Sequence, residues 1–262
     1  MANNKIPKDL STFGALVDII ACLRAPDGCP WDREQTHASL REYLLEESYE
    51  ALAALDEGNT DKLCQELGDL LLQIVLQAQI AREAGEFEIA DVLTGISQKL
   101  VYRHPHVFGD VKVGTAEEVV HNWEELKKAE RDAESSMLDS VPKQMPALAY
   151  AQKIQARVAG AGFDWKDIQG VIEKVAEEVH ELQEAGSAEE KSNEFGDLLF
   201  TLVNFARRQG IDSETALREA NDRFYRRFAF MEKLCRDRGL KFTDLSFDDQ
   251  NKLWDEAKKA SA

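Results

Sequence analysis

The chain has 262 residues, with 32 Lys and Arg against 49 Asp and Glu, which gives a formal charge of −17 at neutral pH. A hydrophobic fraction of 44% with only six prolines is typical of a folded, helix-rich chain and not of a disordered one. The acidic excess disfavours direct binding to nucleic acid or to anionic membranes, because both reward a basic surface. It fits a protein that uses carboxylates to hold divalent cations.

The cysteines and the N-terminus indicate the compartment. The four cysteines form no CxxC pair, which disfavours zinc ribbons and thioredoxin-type redox centres. The polar N-terminus lacks the apolar segment of a signal peptide, and no stretch approaches the roughly 20 apolar residues of a membrane span. We therefore expect buried, reduced thiols, a cytoplasmic location and no membrane association.

Helical periodicity dominates the pattern of apolar residues. They recur at steps of three and four over about 36–57, and two further apolar helices follow over about 61–84 and 89–103. Ser11 and Asn59 stand before predicted helices as N-cap residues. There is no alternating strand pattern and no Asn-Gly hairpin signal. The sequence predicts an all-α fold.

An internal repeat divides the chain into two copies of one unit. LLEESYEALAAL at 44–55 matches VAEEVHELQEAG at 175–186, and the ELGD segment from 66 matches the EFGD segment from 194. A charge-rich stretch at 115–140 separates the copies. The predicted domains are 8–135 and 140–262.

Each copy carries two pairs of carboxylates, and the two residues of a pair are three apart and so share a helix face. They are Glu47, Glu50, Glu66 and Asp69 in the first copy, and Glu178, Glu181, Glu194 and Asp197 in the second. These carboxylates could simply lie on solvated helix faces. In each copy, however, the helix that carries the second pair is otherwise apolar, and unpaired carboxylates in apolar surroundings are costly. A divalent cation such as Mg²⁺ would relieve their repulsion. Gly68 and Gly196, between two acidic positions, suggest close approach by another helix or a ligand.

Basic and aromatic residues of the second copy could bind the phosphates and the base of a nucleotide. Arg223 and Arg227 are four apart, so both guanidinium groups share one helix face that suits phosphate oxygens. Lys258 lies four residues after Trp254, a spacing that could sandwich a base and touch phosphate. Core packing of the indole with a snorkelling lysine is the alternative interpretation of that pair.

These motifs resemble the MazG family of nucleoside triphosphate pyrophosphohydrolases. EESYE with ELGD, and EEVHE with EFGD, are similar to the EExxE…ExxD signature of that family. KLVYRHPHVF at 99–108 and GCPWD resemble markers of the first half of two-domain members, and GFDW and NDRFYRRF resemble markers of the second half. Arg223 stands where the family pattern leads us to expect Lys. The compact ammonium group of a lysine is therefore replaced by a planar guanidinium group with several N–H donors.

The resemblance implies two tandem MazG-type helical bundles, a homodimer, and hydrolysis of NTP or dNTP to NMP or dNMP and pyrophosphate. It implies Mg²⁺, with Mn²⁺ as an alternative ion, on the eight carboxylates. The implied catalytic residues are Glu177, Glu178, Arg223 and Arg227, Glu177 being a general base or an orienting group. The implied substrate-binding residues are Gln152, Lys153, Trp165, Arg223, Arg227, Trp254 and Lys258.

The second copy is the expected main catalytic unit. Arg223, Arg226 and Arg227 cluster there, whereas Pro105 is expected to end the corresponding helix of the first copy. Two alternatives stay open. One is a related pyrophosphohydrolase for another nucleotide, such as a phosphoribosyl-ATP-type substrate or an alarmone. The other is a helical nucleotide-binding regulatory protein without turnover.

Overall fold

The structure is a computed structural model, and it describes residues 7–116, 118, 119, 122, 123, 126 and 136–260. Every regular element within these residues is helical. The chain divides into two compact units, Met1–Arg131 and Asp132–Ala262. The all-α fold with two tandem domains is therefore confirmed, while the limits 8–135 and 140–262 stay a prediction. Lys127, the first-copy counterpart of Lys258, lies outside the described residues.

The first unit is built around a helical hairpin. Its helices are α1 (Phe13–Arg24), α2 (Pro30–Glu34), α3 (Leu40–Asp56), α4 (Thr60–Ala84), α5 (Ile89–Arg103) and α6 (Pro105–Phe108). Helices α3 and α4 pack along each other, and α1 packs against α4. The core between them consists of Ile20, Leu40, Val75, Leu76 and Ile80. Each such side chain contributes about 1.5–3 kcal/mol on burial, so this cluster fixes the hairpin that carries the acidic residues.

Local signals explain where these helices begin and end. Asn59 accepts a hydrogen bond from the backbone N–H three residues on and starts α4, as predicted, and Gly85 ends it with a φ of 71°. The prediction of Ser11 as a cap was wrong. Thr12 caps α1 through its hydroxyl, while the Ser11 hydroxyl donates to Asp9.

The second unit repeats this plan. Its helices are α7 (Ala147–Ala159), α8 (Ile168–Glu184), α9 (Ala188–Arg208), α10 (Ser213–Asp237) and α11 (Phe247–Ala260), with a 3₁₀ turn at Phe242–Asp244. Helices α8 and α9 form the hairpin, with α7 packed on α9, and α10 packs on both α7 and α11. A separate core of Met231, Cys235, Leu253 and Ala257 joins α10 to α11.

The four cysteines differ in their exposure to solvent. All four cysteines are free thiols, but only Cys235 is buried, whereas Cys64 is exposed on α4. The expectation of buried thiols therefore holds for one of the four. Among the described residues, none of the helices combines the length and the apolar character that crossing a lipid bilayer requires.

Candidate functional site

The α8–α9 hairpin of the second unit brings three predicted carboxylates together. Glu178 on α8 and Glu194 and Asp197 on α9 each place one carboxylate oxygen within 4.8 Å of the others. Glu178 is only 3% exposed. Three hard oxygen donors at this separation form a ligand set that suits a divalent cation. The fourth predicted residue, Glu181, lies beside this trio and not within it.

Lys174 is a cation that faces this cluster, and no motif of the sequence singled it out. Its Nζ lies 2.9 Å from Glu178, 2.7 Å from Glu177 and 4.0 Å from Glu181. The hydrogen bonds that Lys174 donates to Glu177 and Glu178 raise the pKa of Lys174, so the lysine is charged at all physiological pH values. The signal was present in the sequence, because Lys174 stands one helical turn before Glu178.

One lysine does not neutralise the second-unit cluster. Burial, followed by repulsion from Glu181, Asp197 and Glu178, raises the pKa of Glu194 above its ordinary value, although Lys174 opposes the shift. Its burial and its acidic neighbours oppose the charged form of this carboxyl, and added positive charge would relieve that opposition. The electrostatics, like the donor set, therefore fit a bound divalent cation.

The α3–α4 hairpin of the first unit has the same trio without the lysine. Glu47, Glu66 and Asp69 each offer an oxygen within 4.8 Å of the others. Burial and then Glu50, which shares a hydrogen bond with it, raise the pKa of Glu66. Burial and then Asp69 likewise raise the pKa of Glu47. Tyr43 occupies the position that corresponds to Lys174.

The glycines between the acidic residues leave open space. A Cβ built on Gly68 or Gly196 meets no atom of the described residues within 4 Å. Within the described residues, no second helix lies against these positions, and the expected approach of another helix stays a prediction. Room for a ligand, the other expectation, is compatible with this geometry.

The predicted basic set gathers on α10 and α11. Arg223 lies 3.7 Å from Glu219, and the Arg227 guanidinium stands 5.8 Å from the centre of the Trp254 ring. The Lys258 amine lies 3.1 Å from Asp255 (Oδ1). Trp254 also contacts Phe224, with ring centres 5.4 Å apart. The Trp254 indole thus packs against the core between α10 and α11, and one of its faces lies near the Arg227 guanidinium.

The remaining predicted substrate residues lie on α7 and in the loop after it. Gln152 is engaged at both ends of its amide, since Nε2 donates to the Ile211 carbonyl and Oε1 accepts from the Ser213 N–H. Lys153 is exposed. Trp165 lines a cavity and packs against Gly170, where an added Cβ would lie 2.8 Å from the indole.

This fold and site define an all-α protein with a carboxylate-bearing helical hairpin in each of two tandem units. Residues 35–108 match the MazG nucleotide pyrophosphohydrolase domain, and residues 143–224 match the phosphoribosyl-ATP pyrophosphohydrolase family. The chain belongs to the MazG family, as its similarity to full-length relatives shows.

Two of these relatives align over nearly their whole length. The nucleoside triphosphate pyrophosphohydrolase/pyrophosphatase MazG of Thermotoga maritima is 46% identical over 94% of this chain and 95% of its own. The nucleoside triphosphate pyrophosphohydrolase of Escherichia coli K12 is 44% identical over 95% of this chain and 98% of its own. A solved mazG-related protein from Thermotoga maritima is 28% identical with a TM-score of 0.39, covering 44% of this chain and 98% of that one.

Proposed function

We propose that the protein hydrolyses nucleoside and deoxynucleoside triphosphates to the monophosphate and pyrophosphate, with Mg²⁺ bound by the carboxylates and Mn²⁺ as an alternative ion. The observation that carries this proposal is the convergence of Glu178, Glu194 and Asp197 within 4.8 Å on a hairpin that buries one of them. Family membership and the names of the full-length relatives support the same reaction.

The carboxylates hold the metal and the attacking water in this proposal. Glu178, Glu194 and Asp197 supply the inner ligands, and Glu181, beside them, completes the acidic set in the second unit. A bound divalent cation supplies a water of lowered pKa and positive charge beside the phosphates. Glu177, which is half exposed, orients that water or accepts its proton. Glu47, Glu50, Glu66 and Asp69 form the equivalent set in the first unit.

The basic residues bind the triphosphate. Arg223, Arg227 and Lys258 are proposed to stabilise the charge that develops on the phosphate oxygens. The Trp254 ring lies against the Arg227 guanidinium and so helps to hold that group in position. Trp165 contacts the base, and Lys153, which is exposed on α7, is a weaker candidate for the same role.

We also propose that the second unit carries most of the turnover and that the protein is a cytoplasmic homodimer. The presence of Lys174 and of three arginines within five residues distinguishes the second unit. Large apolar side chains on α9 and α10 are exposed, such as Phe195 at 52% and Phe224 at 60%. Their exposure supports a second subunit that covers them. Free thiols suit a reducing compartment.

Product analysis tests the reaction. Incubation with each NTP and Mg²⁺ should yield NMP and pyrophosphate, and excess EDTA should stop it. In H₂¹⁸O, the label should enter NMP, because the water attacks the α-phosphorus. NDP with phosphate as products, or label in the pyrophosphate alone, would refute the proposed point of attack, and full activity in EDTA would refute the metal.

Phosphoribosyl-ATP is a second candidate substrate and should be tested beside the NTPs. The match of residues 143–224 to the phosphoribosyl-ATP pyrophosphohydrolase family favours a phosphoribosyl-ATP-type substrate for the second unit. Its chemistry is the same, since an α–β phosphoanhydride is cleaved with release of pyrophosphate. A kcat/KM for phosphoribosyl-ATP well above that for every NTP would select this alternative.

A further inference from the structure

Lys174 lies among the second-unit carboxylates, where a metal ion would also bind. We propose that Lys174 is the counter-ion of Glu178 in the nucleotide-free protein, and that it makes cation binding by the second unit depend on the phosphates of a bound nucleotide. This inference rests on the proposed function and adds to it the order in which the site is filled.

Glu178 is a carboxylate that needs a positive partner even when no metal is bound. Its side chain is only 4% exposed, so water does little to stabilise its charge. Within the described residues, Lys174 is its salt-bridge partner, with Nζ 2.9 Å from Oε1. The lysine stands one turn earlier on α8, so the helix itself brings the two groups together. The ammonium therefore neutralises the buried charge in the metal-free protein.

A divalent cation would have to share this carboxylate with the lysine. Glu178 supplies one of the three oxygens that lie within 4.8 Å of one another, beside Glu194 and Asp197. Mg²⁺ binds about 2.0–2.1 Å from each ligand oxygen. An ammonium at hydrogen-bond distance from the same carboxylate would then lie only a few ångströms from the metal, and the two positive charges would repel each other. Metal binding therefore requires the ammonium to move away from Glu178.

The ammonium has other partners to which it can move. The Lys174 side chain is 31% exposed, and Nζ already lies 2.7 Å from the half-exposed Glu177. The phosphates of a nucleotide at the site would offer further oxygen acceptors, which a lysine binds as a compact charge on a flexible stem. A bound triphosphate thus draws the ammonium from Glu178 and frees that carboxylate for the cation. Until then the site has no metal-bound water to activate.

The first unit has the same ligand set with an uncharged residue in place of the lysine. Tyr43 stands at the position of Lys174. Its ring packs edge-on against Trp31, with ring centres 5.8 Å apart. A phenol group carries no positive charge at neutral pH, so it does not repel a cation at the carboxylates.

The charges around the first-unit carboxylates agree with this difference. The buried member of that trio is Glu66, which shares a hydrogen bond with Glu50 and not with an ammonium. Lys62 is close enough to lower the pKa of Glu66, but its amine is paired with Glu57 at 3.4 Å. We therefore expect the first hairpin to bind a divalent cation alone and the second to bind it together with a nucleotide.

Mn²⁺ binding measured at each hairpin separately tests this expectation. Glu47→Gln with Asp69→Asn leaves the second-unit ligands intact, and Glu178→Gln with Asp197→Asn leaves the first-unit ligands intact. Electron paramagnetic resonance of free Mn²⁺ gives the affinity with and without an ATP analogue that carries a methylene group between the α- and β-phosphorus. A titration of the analogue without protein corrects for the Mn²⁺ that the analogue itself binds.

The second hairpin should respond to the analogue through Lys174. Without the analogue it should bind Mn²⁺ at least about tenfold more weakly than the first hairpin, and the analogue should tighten binding at least about tenfold. In Lys174→Met, the affinity without the analogue should rise by more than about tenfold, and the enhancement by the analogue should shrink by the same factor. Lys174→Arg, which keeps the charge, should retain the enhancement.

Lys252→Met is the matched control, because Lys252 also lies 2.7 Å from a carboxylate three residues away, and it should change neither affinity. Failure to hydrolyse any nucleotide would overturn the proposed function. Hydrolysis by a protein whose two hairpins bind Mn²⁺ equally well without the analogue would overturn the role of Lys174 alone, whether or not the Lys174 variants fold. An enhancement that is undiminished in Lys174→Met, or that falls equally in Lys252→Met, would also overturn that role.

Discussion

Lys174 and Glu178 form a salt bridge one turn apart on α8, with Nζ 2.9 Å from Oε1. The first unit has Tyr43 at the place of the lysine. Both hairpins gather three carboxylates within 4.8 Å, so they differ in charge and not in the ligand set. The lysine pairs with Glu178 within the second-unit cluster, and we expect it to compete with an incoming cation for that carboxylate.

Lys174→Met should strengthen metal binding in the absence of nucleotide. Removing a unit charge roughly 4 Å from a divalent cation relieves a repulsion of about 2 kcal/mol even in water, so the affinity for Mg²⁺ should rise by more than about tenfold. Titration calorimetry with Mg²⁺ or Mn²⁺ measures this. Lys252→Met, which removes a lysine paired with Asp249 on α11, should leave the affinity unchanged. Weaker metal binding in the Lys174 variant would contradict the competition.

Glu194→Gln should stabilise the metal-free protein at neutral pH. The folded pKa of Glu194 lies above its unfolded value of about 4.3, so ionised Glu194 destabilises the fold. Its favourable contribution is complete below the unfolded pKa and is lost as the pH rises through the folded pKa. The gain from the substitution should therefore appear above that pKa and vanish below about pH 4.

Denaturant unfolding of wild type and Glu194→Gln in EDTA, at pH values from acidic to mildly alkaline, measures that difference. Mg²⁺ should raise the stability of the wild type and reverse the order at neutral pH, since the variant loses a ligand. A variant less stable than the wild type in EDTA at pH 8 would show that Glu194 is a structural ion-pair residue instead.

Arg24→Met should destabilise the first unit. The Arg24 side chain is 7% exposed, its Nε and Nη2 donate to Glu83 at 3.0 and 2.7 Å, and Nη1 donates to the Gln35 carbonyl. These charge-assisted bonds lower the pKa of Glu83. We expect a loss of about 2–3 kcal/mol in the unfolding free energy, measured by chemical denaturation at neutral pH. Arg33→Met, which removes an exposed arginine from α2, should cost less than about 0.5 kcal/mol, and equal losses in the two variants would contradict the role given to Arg24.

Periodicity and spacing predicted much of this molecule. The repeat and the three-residue acidic spacings placed Glu178, Glu194 and Asp197 on one hairpin, because helical geometry alone decides which residues share a face. The cap at Asn59 was visible for the same local reason. The resemblance to the MazG family supplied the reaction, which spacing cannot specify.

The rest depends on tertiary packing. The loop that carries Trp165 is joined to α9 by the bond between Asp164 and Arg207, a contact across 43 residues of sequence. The sequence also named Gln152 as a substrate residue, whereas packing engages its amide with Ile211 and Ser213. Such long-range partners leave no periodic signal in the chain.

Paired substitutions in the two hairpins test the central claim most directly. Glu178→Gln with Asp197→Asn keeps the shapes and removes two ligand charges in the second unit, and Glu47→Gln with Asp69→Asn does the same in the first. With folding verified by circular dichroism, the steady-state release of pyrophosphate from NTP should fall at least about a hundredfold in the first double variant and stay largely intact in the second. Full activity after the second-unit change, with loss of activity after the first-unit change, would contradict the assignment of the active hairpin.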